Sequence, residues 1–353
     1  MANSKKEILE WLALKRRTAG WGAVVSYPQS KCNALLLDDY IAKFTTSDYL
    51  PPINEVVRTG DTSWESLMDW ITDRPRLSFE DSSTRPGGEV NMTMAVVGGI
   101  QVSIDNTSGH KRVNALKYLD PLNHPKFIAK NVALSKTVGL VGQHTGEVVL
   151  DLGGEEAKAA SWQLTFANTE HECKIGGAFF KQYYREADKE KRLYHLGKIA
   201  YIDKQYLKPK SFKLRTITAN GVASPTANDS GNGAVQLFVC MDGDEEGGTP
   251  PSDDWNSLIA DKEGADTEDV TVLLDHSLVI KNVIMQNIIK AFRTGMHELK
   301  QTVDPVTGFI AVDALPGKGA MSIHQIRGET ENYRYMLTGI EITLLLVMIL
   351  ALL

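Results

Sequence analysis

Along residues 76–104 polar and apolar side chains alternate with a period of two. Leu77 and Phe79 alternate with Arg76, Ser78 and Glu80, and Val90, Met92 and Met94 with Glu89, Asn91 and Thr93. Ile100, Val102 and Ile104 alternate with Gln101, Ser103 and Asp105, while Pro86-Gly87-Gly88 and Gly98-Gly99 punctuate the runs. Successive side chains of a strand point to opposite faces, so the pattern predicts a meander of antiparallel strands with one buried and one wet face. Further strands are expected at Trp21–Tyr27, Thr145–Leu152, Ser161–Ala167, Lys210–Thr218, Val235–Met241 and Val270–Leu274.

Helical spacing appears elsewhere. Ile8–Leu14, interrupted by Glu10 and followed by Lys15-Arg16-Arg17, reads as an amphipathic helix. With Ser30 as N-cap, a helix is expected from Lys31 to Phe44, its apolar face made of Leu35, Leu36, Ile41 and Phe44. Ala178–Tyr194 reads as a helix with a solvated face. The widest apolar arc belongs to His276–Phe292, where Leu278, Ile280, Ile284, Met285, Ile288, Ile289 and Phe292 cover about half of the helical circumference. An arc of that width needs a broad surface to bury it, such as a sheet curved around the helix. Those seven residues, with Leu35 and Leu36, are the expected lining of a lipid-binding groove.

Composition narrows the function classes. The chain has 353 residues, 42% of them hydrophobic and 23% charged, which describes a folded protein. Its 38 basic and 44 acidic side chains are interspersed and give a net charge of −6, so no basic footprint for nucleic acid is present. The aromatic and basic residues of 178–194 are interrupted by Glu186, Asp188 and Glu190, and single-stranded nucleic acid is not expected there. Cys32, Cys173 and Cys240 form no CxxC pair and are expected as buried or half-buried free thiols. The N-terminus lacks the uninterrupted apolar core of a secretory signal, which points to cytoplasmic synthesis followed by release or export. From Ile342 to Leu353 no residue is charged. Such a run spans about 18 Å as a helix, short of the ~30 Å hydrocarbon core. A membrane contact, a buried terminal element and an altered reading frame are all open for it.

No constellation for catalysis stands out. GxSxG, Walker, GxGxxG and HExxH motifs are absent, and no two of the eight histidines stand three to five residues apart. His171 lies between Glu170 and Glu172, which reads as a wet strand end. Asp242–Glu246 begins like a calcium loop, but two prolines follow and Asp253 stands where the twelfth position requires Glu, so a solvated acidic turn is the better reading. No cofactor, no metal and no enzymatic activity are expected.

Several segments carry a resemblance. Gly20-Trp21-Gly22 leads into a strand, and Ser30-Lys31-Cys32-Asn33 opens a helix. Gly176-Gly177-Ala178-Phe179-Phe180, Tyr206-Leu207-Lys208-Pro209-Lys210-Ser211-Phe212 and Asn256-Ser257-Leu258-Ile259-Ala260-Asp261 follow in order, the last leading through a strand into the Ser277–Phe292 helix. In order and character this resembles the tubular lipid-binding (TULIP) superfamily, and within it the OrfX-type proteins encoded beside clostridial neurotoxins. The resemblance implies an elongated α+β fold with long curved antiparallel sheets wrapped around long amphipathic helices. It also implies non-enzymatic binding of a lipid or fatty acid, as an accessory protein of a bacterial toxin or insecticidal locus. The alternatives are an interaction subunit that docks a protein partner in a toxin complex, and a membrane-active toxin component. The expected organisation is an N-terminal helix (1–17), an α+β region (18–335) with a subdomain boundary near 120–145, and an apolar tail (336–353).

Overall fold

The computed structural model describes residues 4–13, 17–80, 88–106, 109–120, 122, 125–136, 146–154, 160–165, 169–199, 207–218, 232–250, 255–260 and 269–280. It also gives the backbone of 299–303, 310–314, 322–326 and 334–336. The elements, in chain order, begin with α1 (Lys5–Leu12), β1 (Ala23–Pro28), α2 (Gln29–Lys43), β2 (Ile53–Arg58), β3 (Ser63–Thr72) and β4 (Arg76–Ser78). Then come β5 (Glu89–Asp105), β6 (Arg112–Leu119), β7 (Lys126–Ala133), β8 (Ser135–Lys136), β9 (Gly146–Asp151) and β10 (Ser161–Leu164). After α3 (Glu170–Glu186) and α4 (Lys189–Arg192) follow β11 (Leu193–Ile199), β12 (Pro209–Thr218), β13 (Gly233–Met241), β14 (Thr271–Leu274) and α5 (His276–Leu278). The last four strands are β15 (Leu299–Val303), β16 (Ile310–Ala314), β17 (Ser322–Ile326) and β18 (Arg334–Met336). The strand pairs of the main sheets are antiparallel, as the half-wet alternation predicts.

Two compact units divide the chain. The first comprises residues 1–9, 18–202 and 209–273, the second the remainder. In the second unit, β15–β18 form a four-stranded meander. There too, Arg17 lies 4.1 Å over the Trp11 ring, and Asp275 caps α5 by accepting a hydrogen bond from the Ser277 N–H at 3.0 Å.

The first unit is organised around a seven-stranded sheet, β10-β7-β5-β3-β2, with β4 and β6 also paired to β5. Helix α3 contacts β10 and β2, the two ends of that path, so the sheet curls around it. Phe180 is the anchor: its ring stacks on Trp70 at 6.1 Å and meets Phe127 edge-on at 4.2 Å, while Trp162 lies 5.5 Å from Tyr184. Gly177 lets the helix approach, because a Cβ there would lie 2.1 Å from the Trp162 carbonyl oxygen. Thr169 and Glu172 close a capping box at the start of α3. Glu170-His171-Glu172 is therefore the first turn of a helix and not a strand end. The helix starts earlier than the aromatic run suggests and ends at Glu186; Tyr194 belongs to a strand.

Helix α2 departs from its expected face. It begins at Gln29 with Pro28 as N-cap, displacing Ser30, since proline's fixed φ suits the step from strand to helix. Cys32 and Leu36 are buried and Leu35 is half-buried, but Ile41 and Phe44 are exposed. The inward stripe is keyed by polar groups. Gln29 Nε2 donates to the Leu77 carbonyl at 2.7 Å, Asn33 Oδ1 accepts from the Leu77 N–H at 2.7 Å, and the Tyr40 hydroxyl donates to the Thr72 carbonyl at 3.1 Å. These bonds turn the 29–33–36–40 stripe to the sheet and leave Ile41 and Phe44 outside.

A second sheet, β12-β13-β1-β14, contains the most buried strand, for all nine residues of β13 are buried. The strap Trp255–Ala260 crosses this sheet and is itself buried. It is pinned by Ser26 Oγ donating to the Ser257 carbonyl at 2.5 Å and Gln236 Nε2 donating to the Asn256 carbonyl at 3.0 Å. The remaining sheet of this unit is β11-β9-β8. Cys32 and Cys240 are buried and Cys173 half-buried, all as free thiols.

Candidate apolar binding face

Strand β5 runs unbroken for 17 residues, through the Gly98-Gly99 pair at which the alternation suggests a break between strands. Its phase reverses around those glycines. Gly99 has φ +118° and faces Asp69, which sits at φ +52° in β3, and the pairing slips between Met68 and Ile71. A Cβ on Gly99 would lie 2.7 Å from the Asp69 carbonyl oxygen, so only glycine fits. This is a β-bulge, with two residues of β3, Asp69 and Trp70, opposing the single Gly99 of β5; a second slip between Ile71 and Thr72 leaves Val97 of β5 unopposed and reverses the phase of β5 in turn. Before it Val90, Met92, Met94 and Val96 face the core; beyond it the buried position is Gln101. Leu67 and Trp70 of β3 are buried on either side of the bulge, so Met68 and Asp69 between them turn outward.

The outward face beyond the bulge is apolar and lies open. Register places Arg58, Trp64, Ile104 and Val113 in one row across β2, β3, β5 and β6. The next row is Val56, Ser66, Val102 and Leu116, and the third holds Met68, Ile100 and Tyr118. Tyr118 is 73% exposed, Val113 65%, Val56 59%, Leu116 54% and Met68 46%. Trp64, Ile100, Val102 and Ile104 are half-buried. Scattered apolar residues on a surface are ordinary, whereas a contiguous field of this kind marks a binding surface. Behind it the inward face carries a polar tie, Gln101 Nε2 and Ser103 Oγ both donating to Glu65 Oε2, at 3.0 and 2.8 Å.

Charge is distributed unevenly around the face. At the Trp64 end, Lys111 Nζ lies 5.7 Å over the indole, and Arg58 is tied to Asp61 at 3.4 Å. At the bulge end, Asp69 Oδ1 accepts from Asn54 Nδ2 at 3.1 Å. One end thus carries the Lys111 ammonium beside a paired Arg58–Asp61, and the other a carboxylate.

Of the nine residues expected to line a groove, four are described. Leu36 is buried and Leu35 half-buried on α2; Leu278 and Ile280 are buried in the second unit; Ile284, Met285, Ile288, Ile289 and Phe292 lie outside the described residues. The apolar run 342–353 also lies outside them. Leu35 and Leu36 belong to α2 and not to the open sheet face, of which the sequence pattern placed Ile100, Val102 and Ile104 on the meander's buried side.

Titratable clusters occur elsewhere in the chain. His195 Nδ1 lies 3.2 Å from Asp39 Oδ1 and its Nε2 3.8 Å from Glu147 Oε2. Carboxylates on opposite ring nitrogens cannot close on one ion, and among the described residues no metal-binding group forms. Lys43, whose burial lowers its pKa, donates to the carbonyls of Glu190 (2.6 Å) and Leu193 and lies 4.6 Å over the Tyr194 ring, a structural clamp. A cleft of about 260 Å³ is lined by Leu50, Pro51, Glu55, Tyr183, Asp188 and Lys191 among others, with Lys191 held by Asp188 at 2.6 Å. The Tyr183 phenol there is pushed up by burial and then by Glu55. In the acidic turn, Glu246 is engaged by Ser211 at 3.0 Å and Lys213 at 3.0 Å. Among the described residues no helix is long and apolar enough to cross a membrane.

Among solved structures the chain is similar to P47 from Clostridium botulinum A2, with a TM-score of 0.46 and 12% identity over 94% of this chain and 84% of that one. It is also similar to P47 of Clostridium botulinum E1, with a TM-score of 0.47 and 13% identity over 87% of this chain and 66% of that one. No family model and no curated protein matches it.

Proposed function

We propose that this chain acts by binding and not by turnover, and that what it binds is apolar. The observation that carries this reading is the open face of β2, β3, β5 and β6, where nine apolar side chains from Val56 to Tyr118 form three rows. Covering such a face releases about 25 cal/mol per Å² of apolar surface, and an acyl chain laid on it gains about 0.8 kcal/mol per buried CH₂. The lipid reading also accords with the TULIP resemblance, as does a helix cradled by a curled sheet. On that resemblance, the biological setting is accessory to a toxin or insecticidal locus.

A second reading has its own support. Pockets for small ligands are concave and bury most of the ligand, whereas the nine described side chains form the outer face of a sheet and not a cleft. The exposed outer face of a curled sheet suits a protein partner.

The test is lipid extraction from the purified full-length chain followed by mass spectrometry, with binding of an apolar fluorescent dye measured in parallel. A bound lipid, or dye binding that falls sharply in a Leu116→Asp variant, supports the reading. An unliganded protein that binds neither lipid nor dye sinks it.

A further inference from the structure

We propose that two copies of this chain pack face to face through the open β2–β3–β5–β6 sheet, on a two-fold axis running along the row Val56–Ser66–Val102–Leu116. In that arrangement Lys111 of each copy meets Asp69 of the other. The proposal rests on the binding reading above and commits the face to one occupant, which a lipid or another partner must displace.

Three observations lead to it. The first is size: the five most exposed side chains and their half-buried neighbours present on the order of 600–700 Å², close to the ~800 Å² that each partner buries in a stable interface. The second is polarity. The Lys111 ammonium at one end, where Arg58 is already paired with Asp61, and Asp69 at the other are separated by the three rows, roughly 14 Å at two residues per row. A two-fold axis along the rows lays each strand over its own copy and exchanges the ends. Lys111, above Trp64 of β3, then lies over the bulge of the second copy's β3, where Asp69 stands. An axis along the strands would instead put like charge over like. Opposite charges in register steer and fix an interface, and in an isologous dimer each contact occurs twice.

The third observation is shape. Ser66 is the one small residue of the middle row and would sit at the axis, where the two sheets come closest. Sheets packed face to face lie about 10 Å apart, with strand directions aligned to within about 30°. The half-buried Trp64 and the exposed Tyr118 then cover each other's rows from opposite ends.

Sedimentation velocity on the full chain over a concentration series tests the proposal. A concentration-dependent dimer is expected. Leu116→Asp, an exposed position, should leave a folded monomer with unchanged circular dichroism. Lys111→Glu and Asp69→Lys should each weaken the dimer by about tenfold or more, and the double variant should recover much of the loss. Ser66→Cys should give a covalent dimer with a short thiol cross-linker, and this measurement does not depend on altering the bulge. A monomer that carries lipid or binds the dye overturns the dimer and leaves the binding reading standing. A monomer that binds neither overturns both. An oligomer insensitive to Leu116→Asp places the contact elsewhere and also overturns the proposal.

Discussion

Val90–Val96 and Ile100–Ile104 lie on one strand and obey the same alternation. In the first stretch Val90, Met92, Met94 and Val96 are buried at 0–1% exposure against the side that holds α3, while in the second Ile100, Val102 and Ile104 are half-buried on the opposite side. Nothing in side-chain chemistry separates the two sets. The difference comes from two compensating slips: Asp69 and Trp70 of β3 oppose Gly99, and Val97 of β5 stands unopposed between Gly98 and Val96, so each strand exchanges its faces while the register on either side agrees. Hydrophobic periodicity therefore tells which residues share a face, and a bulge decides which face meets the core.

The strongest way to break this comparison is to attack the first half. Phe180→Ala removes the ring that joins Trp70, Phe127 and α3, and should cost about 3–5 kcal/mol in chemical denaturation. Gly99→Ala strikes the hinge between the halves. With φ +118° and a carbonyl oxygen 2.7 Å from the new Cβ, it should cost roughly 2–4 kcal/mol, and the outer face should lose dye binding as its register shifts.

Part of the fold was legible because eight strands, β1, β4, β5, β9, β10, β12, β13 and β14, announce themselves, whereas β2, β3, β6 and β7 gave no expectation. Val235–Met241 and Lys210–Thr218 emerged within two residues of β13 and β12. The Thr169–Glu172 capping box was also present in the sequence, yet the charged cluster around His171 drew the reading toward a wet strand. Proline at 28 masked the true start of α2, and its polar keys, Gln29 and Asn33, left no apolar signature to read. The candidate face was legible only in composition. Only Ile100, Val102 and Ile104 were recognised as strand-forming, β2, β3 and β6 were not, and the phase reversal depends on the tertiary pairing of β3 with β5 around Asp69 and Gly99, 30 residues apart, that local pattern does not encode.

Smaller effects sharpen the contrast. Thr169→Ala removes the cap of α3, and with it some support for the first half alone, at about 1 kcal/mol. Buried phenols supply a pH test. Tyr184 is pushed well above the ordinary phenol value by burial, then by Tyr194 and Tyr183, and Tyr194 is pushed up by burial and then by Asp39. Their raised folded pKa means that the contribution is fully present below the unfolded value near 10 and is lost as pH climbs beyond it. Denaturation series above pH 10 should show that loss, and Tyr184→Phe should reduce it. At the small end, Leu116→Ser on the outer half should change monomer stability by no more than about 0.5 kcal/mol. A large loss there would mean that the outer face is covered in the monomer.

The deeply enclosed β13 has a consequence for how the chain is made. Its neighbour β1 leaves the ribosome well before the strap, for Ser26 finds its bond at Ser257, 231 residues later. At ~5–20 residues per second, roughly 10–45 s of synthesis separate the two. Throughout that interval β1 is an apolar strand without its partner strand or its strap. Nascent chains should therefore depend on a holding chaperone, and should acquire protease resistance late and abruptly, when the strap has been translated and closes.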